Sequence, residues 1–213
     1  MPDDKPPPEF MSALVTEHFV LQSTASATIS ESGSRVAIYL SSLSSGLVAL
    51  GFASSSPHAL AALSFTVLPT VFILGWFTVV RLVDTSVANI VSLRRMERIR
   101  RYYASIVPSA ADYFESDDSV TGTHGVSYGR WSFLFTMASM VILVNSVLGG
   151  SAVTLVGVLA VKAPVLASTA VGTVAGLVLL ALGLRYEQRR LSPVVLDSPG
   201  ATAVSTERPG EAV

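Results

Sequence analysis

Two long runs of the chain carry almost no charge, and this limits the folds that are available to it. No Asp, Glu, Lys or Arg occurs in residues 36–80, and residues 131–184 contain only Lys162. An uncharged apolar run of more than about 18 residues is typical of a helix that crosses a membrane. Each run is long enough for two such helices. A large buried helix of a water-soluble domain is the alternative, but four of them cannot all be core in a chain of 213 residues.

Composition supports the membrane interpretation. Half of the residues are hydrophobic and only 14% are charged, whereas a water-soluble domain carries roughly 25% charged residues. The chain has no cysteine, which excludes a disulfide framework and a thiol site. We therefore predict an all-α integral membrane protein: a four-transmembrane-helix bundle with an N-terminal amphipathic helix and a helical cytoplasmic loop.

The sequence divides into a membrane domain and its flanking segments. Proline-rich residues at the start and a Pro/Ser/Thr-containing C-terminal segment are typical of disorder. The predicted parts are a disordered tail at 1–8, an N-terminal helix at 9–34, a membrane domain at 35–185 and a disordered tail at 186–213. Within the membrane domain, the spans are predicted at about 36–53, 59–81, 131–149 and 164–184. A cytoplasmic loop is predicted at 82–130.

Several boundaries leave alternatives open. The helix at 9–34 either lies as an amphipathic helix on the membrane or on the central loop, or leads directly into the first span, and Gly33 is a candidate break. The second span contains Pro69, and its helix is expected to continue past the membrane surface. We predict that the third span turns at Gly149-Gly150, followed by a short interfacial piece that ends at Pro164. After Pro108 we expect a short helix at 110–115 and an exposed loop at 116–128.

The distribution of arginine predicts one orientation. Arginines precede the first span, follow the fourth and fill the segment between the second and third, whereas the other two connections hold only Lys162. Because cytoplasmic loops are enriched in Lys and Arg, both termini and the central loop are predicted to be cytoplasmic. An even number of spans agrees with this pattern. Arginine outnumbers lysine twelve to two, a bias that fits a high-GC bacterial source, and the predicted location is a bacterial plasma membrane.

The sequence contains no recognisable catalytic or metal-binding pattern. Its three histidines, His18, His58 and His124, do not have the spacing of a metal site, and no HExxH, GxSxG or P-loop pattern occurs. The cores of the four predicted spans contain no ionisable residue of the kind that marks an ion pathway. We predict a non-enzymatic protein with no catalytic residue, cofactor or metal, and no nucleic acid as a partner.

Small and polar residues in the spans are candidates for helix packing. Small side chains let helix backbones approach closely in lipid, and a GxxxG motif joins Gly172 to Gly176. This motif could join helices within one subunit or between subunits of a homo-oligomer. Ser41, Ser44 and Ser45 with Ser42 could line a pore, although packing is the preferred interpretation. The predicted packing residues are Ser42, Gly46, Asn145, Ser168, Gly172 and Gly176.

The densest charge of the chain lies just after the second span. Arg94, Arg98 and Arg101 share one helical face, and Arg95 lies beside it. Such a face could contact anionic lipid headgroups or an unidentified acidic cytoplasmic protein. Alternatively, nearby acidic residues neutralise it: Glu97 precedes Arg101 by four residues.

The segments 16–35, TEHFVLQSTASATISESGSR, and 81–105, RLVDTSVANIVSLRRMERIRRYYAS, resemble a group of uncharacterised small multi-pass membrane proteins of actinobacteria. The resemblance covers most of the first 115 residues and implies a bacterial membrane protein without implying an activity. The layout of two spans and a cytoplasmic helix is also similar to the two-span effector modules of bacterial conflict systems.

These observations predict a membrane protein of unknown biochemical role whose cytoplasmic helical segment is an interaction surface. Membrane lipids are its expected partners. The alternative function is an oligomeric channel or a membrane-perturbing effector, which the serine face of the first span and the GxxxG motif of the fourth would support.

Overall fold

The computed structural model describes residues 6–106 and 136–196 of the chain, with side chains up to residue 193. Within these ranges 93% of the residues are helical and no strand occurs. The four helices are α1 (Pro8–Ala53), α2 (Pro57–Ile106), α3 (Met137–Leu159) and α4 (Val165–Leu196). All four are long and apolar enough to cross a membrane. The predicted all-α fold with four such helices is therefore confirmed.

The first two helices are longer than a membrane requires. The first has 46 residues and the second has 50, so each spans about 70 Å at 1.5 Å per residue, more than twice the hydrocarbon thickness of about 30 Å. The N-terminal helix and the first span are one helix, because no proline interrupts residues 9–53 and Gly33 does not break it. An isolated glycine in a helix costs only about 1 kcal/mol.

The turn between the first two helices follows from local sequence. Proline is favoured at the first position of a helix because it lacks an N–H that would be unpaired there. Pro57 begins α2, and the carbonyl of Ser56 accepts from the Leu60 N–H at 2.9 Å. Pro69 lies inside α2, which continues through it.

The turn predicted at Gly149-Gly150 is wrong. Helix α3 continues through both glycines to Leu159, and the chain turns at residues 160–164, where Lys162 has a φ of 57°. The glycines serve interhelical contact. A Cβ built on Gly150 would lie 2.6 Å from the carbonyl oxygen of Gly172 on α4, so only glycine permits this approach.

The boundary predicted at residue 186 is also wrong. Helix α4 continues to Leu196, and Glu187 and Leu191 are buried. Burial of these two side chains stabilises the helix beyond the predicted fourth span. Several predicted features lie outside the described residues: the tail at 1–5, the short helix at 110–115, the loop at 116–128, the start of the third span at 131 and the tail at 197–213.

The described chain forms two compact units. The first, which we call the bundle, comprises residues 31–84 and 136–191 and contains segments of all four helices. Its core includes fully buried Tyr39, Val79, Leu82 and Val83, and partly buried residues of α4 pack against it.

The second unit, which we call the hairpin, comprises residues 6–30, 85–106 and 192–196. Its small core joins Leu21 and Ala25 of α1 to Met96 and Ile99 of α2. The rings of Phe10 and Tyr102 meet edge to face with centroids 5.6 Å apart. The two helices therefore pack against each other through one apolar stripe on each.

We predict that Gly150→Ala destabilises the protein by about 1–3 kcal/mol, because its Cβ has no space beside the Gly172 backbone. The measurement is the thermal unfolding midpoint in detergent, followed by helical circular dichroism. Gly51→Ala is the matched control: no atom lies within 4 Å of a Cβ there, and alanine favours a helix over glycine. Equal midpoints for the two variants would contradict the close approach of α3 and α4.

Candidate functional site: a buried carboxyl and ion pairs at one end of the bundle

The start of α3 is fixed by a hydroxyl cap. Thr136 has an extended backbone (φ −79°, ψ 158°), and its Oγ1 accepts a hydrogen bond from the Ser139 N–H at 3.0 Å. The Ser139 hydroxyl donates to the Thr136 carbonyl oxygen at 2.8 Å. This arrangement is typical of an N-cap, in which a side-chain oxygen satisfies one of the first free N–H groups of a helix.

The same threonine contacts a buried carboxyl of α4. The Thr136 hydroxyl donates to Oε1 of Glu187 in a short hydrogen bond. Glu187 is only 1% exposed, and its Oε2 is buried with no hydrogen-bond partner in the described part of the chain. A carboxyl of α4 therefore holds the capping residue of α3.

The environment of Glu187 favours its neutral form. The residue follows the predicted fourth span, 164–184, and burial raises the pKa of its carboxyl, while the hydrogen bond from Thr136 lowers that pKa in part. Desolvation disfavours the charged form because an ion loses its hydration inside the protein. Helix α3, which supplies the hydrogen bond, contains no Asp, Glu, Lys or Arg.

Ion pairs surround this end of the bundle. Glu31 of α1 lies 2.9 Å from Arg35 of the same helix and 3.0 Å from Arg81 of α2. Hydrogen bonds from Arg81 and then Arg35 hold the pKa of Glu31 below its ordinary value. Asp84 of α2 lies 2.9 Å from Arg190 of α4. Exposed pairs of this kind contribute little to stability, but these two link α2 to α1 and to α4.

The predicted packing residue Asn145 lies inside the bundle. It is 3% exposed, and its Oδ1 accepts a 3.4 Å hydrogen bond from the hydroxyl of Tyr39 on α1. A Cβ on Gly75 of α2 would collide with that same Oδ1 and would lie 2.9 Å from the Tyr39 ring. Asn145 of α3 therefore contacts both α1 and α2. Only glycine fits at position 75 of α2, because a larger residue would collide with the Asn145 side chain.

The GxxxG motif lies in the contact between α3 and α4 of one chain. Gly172 lies against Gly150 and Thr154, and Gly176 lies against the backbone of Ser146 and Gly150. The sequence left open whether this motif acts within a subunit or between subunits. In this structure it closes an intramolecular contact.

The other predicted packing residues differ in their contacts. Ser168 lies against Gly157 of α3, and Gly46 of α1 lies against Val67 of α2, where an added Cβ would be 2.6 Å from Val67 Cγ1. Ser42 donates to the Ile38 carbonyl oxygen of its own helix at 2.8 Å. Gly46 and Ser168 thus occupy interhelical contacts, whereas the hydrogen bond of Ser42 is local.

The arginine face belongs to the hairpin. Arg94, Arg98 and Arg101 lie on the side of α2 opposite the buried Met96 and Ile99, as the helical period of 3.6 residues requires.

Exposure differs among these arginines. Arg95, Arg98 and Arg101 are exposed, and Arg94 is half-buried. Arg101 lies 3.9 Å from Glu97, so part of the self-neutralisation expected from the sequence is present. The acidic residues at 112–118 lie outside the described residues.

Glu187 is the residue that the sequence analysis missed. It was assigned to the tail at 186–213, for which the Pro/Ser/Thr-containing C-terminal segment predicted disorder. A signal was present nevertheless: Leu180, Leu184, Glu187 and Leu191 recur at helical spacing. That periodicity continues across the charged residues and indicates one helix whose buried face includes the carboxyl.

The described residues contain no group of three or more His, Asp or Glu side chains that could hold a metal ion. Comparison with known proteins gave no significant similarity: no protein-family model matches the chain, no curated protein matches it, and no solved structure matches it.

We predict that Tyr39→Phe and Asn145→Ala are energetically coupled by about 0.6 kcal/mol, a typical value for a hydrogen bond between helices in a membrane. The measurement is a double-mutant cycle on unfolding in mixed micelles. Tyr102→Phe, in the hairpin, is the control and should combine additively with Asn145→Ala. Full additivity of the Tyr39 and Asn145 variants would show that the hydrogen bond contributes nothing.

Proposed function

We propose that the chain is a non-enzymatic integral membrane protein of the bacterial plasma membrane, and that its helical hairpin is a cytoplasmic interaction surface. The observation that carries the proposal is the strongly exposed apolar surface of the bundle, which suits a lipid environment. The hairpin also exposes apolar side chains, such as Phe19 at 65% and Ile29 at 60%. It differs in carrying the arginine face, which could bind an anionic partner.

The outward surface of the bundle supports a lipid environment. Large apolar side chains there are strongly exposed: Phe52 is 82% exposed, Phe77 is 72% exposed and Leu166 is 84% exposed. Water-soluble proteins rarely expose large contiguous apolar patches, whereas lipid solvates such side chains without cost. Inside the bundle, the helix contacts use glycine and hydrogen-bonded polar groups, as is common in membrane helices.

The arrangement of charge supports an orientation with both termini in the cytoplasm. Arg35, Arg81 and Arg190 lie at the end of the bundle where Glu187 is buried. At the turn between α3 and α4, Lys162 is the only charged residue. Since arginine is enriched on the cytoplasmic side, the Glu187 end would face the cytoplasm and Lys162 the outside.

This orientation predicts how single cysteines react in intact cells. Because the chain has no cysteine of its own, Lys162→Cys and Arg95→Cys each introduce one unique thiol. A membrane-impermeant maleimide should label the Lys162 variant in intact cells and the Arg95 variant only after the cells are opened. The reversed pattern would refute the proposed orientation, and labelling of both after permeabilisation is the control for accessibility.

The arginine face supports a role in binding anionic groups. Met96 and Ile99, on the opposite side of α2, pack against α1. This contact fixes the direction in which the arginine side of α2 faces. Basic residues near a membrane surface attract acidic lipid headgroups by about 1 kcal/mol each. Carboxylates on an acidic protein surface would pair with arginine in the same way as lipid phosphates, through charge-assisted hydrogen bonds.

We predict that the triple variant Arg94→Glu, Arg98→Glu, Arg101→Glu loses anionic ligands that copurify with the protein in mild detergent. Loss of three positive charges that each contribute about 1 kcal/mol lowers affinity roughly a hundredfold, and repulsion by the three new carboxylates lowers it further. Mass spectrometry of bound lipids and of captured proteins distinguishes the two sources. The triple lysine variant is the control and should retain binding, because it preserves charge. Unchanged lipid and protein profiles for the glutamate variant would refute the role of this face.

One of the two sequence features that supported an oligomeric channel has a different role in the structure. One of its motives was the GxxxG motif, which here closes a contact between α3 and α4 of the same chain. Its other motive, the serine face of α1, persists: Ser41, Ser44 and Ser45 are exposed. We therefore prefer the interaction surface to a channel.

A further inference from the structure

We propose that Glu187 and Thr136 form a proton-binding site, in which Glu187 is a neutral carboxylic acid that ties the start of α3 to α4. The site binds a single proton on the Glu187 carboxyl. The Thr136 hydroxyl holds that carboxyl in place through its hydrogen bond to Oε1. This site is distinct from the arginine face of the hairpin and depends only on the packing of the bundle.

The first support is the small number of donors around the carboxyl. An ionised carboxylate offers about four lone-pair positions, and buried carboxylates usually accept several hydrogen bonds or pair with a cation. Glu187 accepts one bond, from a neutral hydroxyl, and its Oε2 is buried without a partner among the described residues. A buried anion with one neutral donor is far more costly than a buried neutral acid.

The second support is the placement of the surrounding charges. On α1 the charged groups at this end are Glu31 and Arg35, which pair with each other, and Glu31 also pairs with Arg81 of α2. On α4, Arg190 pairs with Asp84 of α2.

The remaining groups on α4 do not supply a countercharge either. Arg185 and Arg189 are exposed, and Tyr186, whose hydrogen bond to Arg190 raises the pKa of that guanidinium, is half-buried. Helix α3 has no charged residue. Within the described residues, none of these groups forms an ion pair with Glu187.

The consequence is a stability that falls as the pH rises. A carboxyl whose pKa is raised on folding binds more protons in the folded state than in the unfolded state between the two pKa values. Its stabilising contribution is complete below the unfolded value, which is 4.5 for a free glutamate, and is lost as the pH rises through the raised folded value. Glu31, whose pKa is lowered on folding, acts with the opposite sign and below 4.5, so the two effects occupy separate pH ranges.

Infrared spectroscopy tests the protonation state directly. The full-length protein in lipid nanodiscs is titrated from acidic to alkaline pH, and the carbonyl stretch of a protonated carboxylic acid is followed. We expect one such band to persist well above pH 4.5. Glu187→Gln should abolish it. Glu17→Gln, which changes an exposed glutamate of α1, should leave it intact. Absence of the band at neutral pH, or its survival in the Glu187→Gln variant, would overturn the proposal.

A second measurement keeps the test valid if Glu187→Gln does not fold. The unmodified protein in detergent should show a lower unfolding midpoint as the pH is raised from 4.5 toward neutrality and beyond. Thr136→Ala should shift the frequency of the infrared band because the acid loses its hydrogen bond, and Thr136→Ser should restore it. A midpoint that rises or stays constant over this range, or a band indifferent to Thr136→Ala, would show that the site does not hold a proton as proposed.

Discussion

Close contact between helix backbones is the constraint on which the bundle depends. Helices in lipid gain little from the hydrophobic effect when they meet, because the lipid chains are as apolar as the side chains. Their association relies on dispersion contacts, which fall off steeply with distance. Glycines on facing helices bring backbones together at Gly150 and Gly172, and at Gly46 and Gly75 a neighbouring side chain fills the space. These positions determine which faces of the helices meet.

The polar groups of the bundle follow from this geometry. Because Gly75 leaves space for the amide of Asn145, that side chain can point inward and reach Tyr39. Glu187 is buried in a different way: it lies where α4 passes the start of α3, and the cap of one helix becomes the partner of the other. One group is a neutral amide inside α3, and the other is a carboxyl near the C-terminal end of α4.

Much of the fold follows from charge and periodicity alone. Charge-free runs indicated the number of apolar helices, and the continuation of α2 beyond Arg81 followed from the absence of proline between residues 70 and 106. The errors occurred where one local signal has two physical meanings. Gly149-Gly150 reads as a turn, yet in a membrane helix glycine also permits close packing. The Pro/Ser/Thr-containing segment near the C-terminus predicted disorder from residue 186, although Glu187 and Leu191 on one face of α4 stay buried.

The candidate site was less predictable for a related reason. Burial of Glu187 depends on Thr136, which is 51 positions earlier in the sequence, and no periodicity of α4 alone identifies that partner. The arginine face, by contrast, was visible from helical spacing, since it requires only one helix. A feature that lies on one helix, such as the arginine face, can be predicted from the sequence. A contact between two helices, such as that of Glu187 with Thr136, requires knowledge of how the helices pack.

The glycine contacts also limit how the length of the chain can vary. Thr136, Asn145 and Gly150 are all placed by the continuous turns of α3, and each additional residue in a helix rotates everything after it by 100°. A single insertion between Asn145 and Gly150 would carry Gly150 and Thr154 away from α4 while leaving Asn145 in place. Insertions are therefore excluded from the interior of α3, whereas the turn at residues 160–164 can absorb them without rotating either helix against its partner.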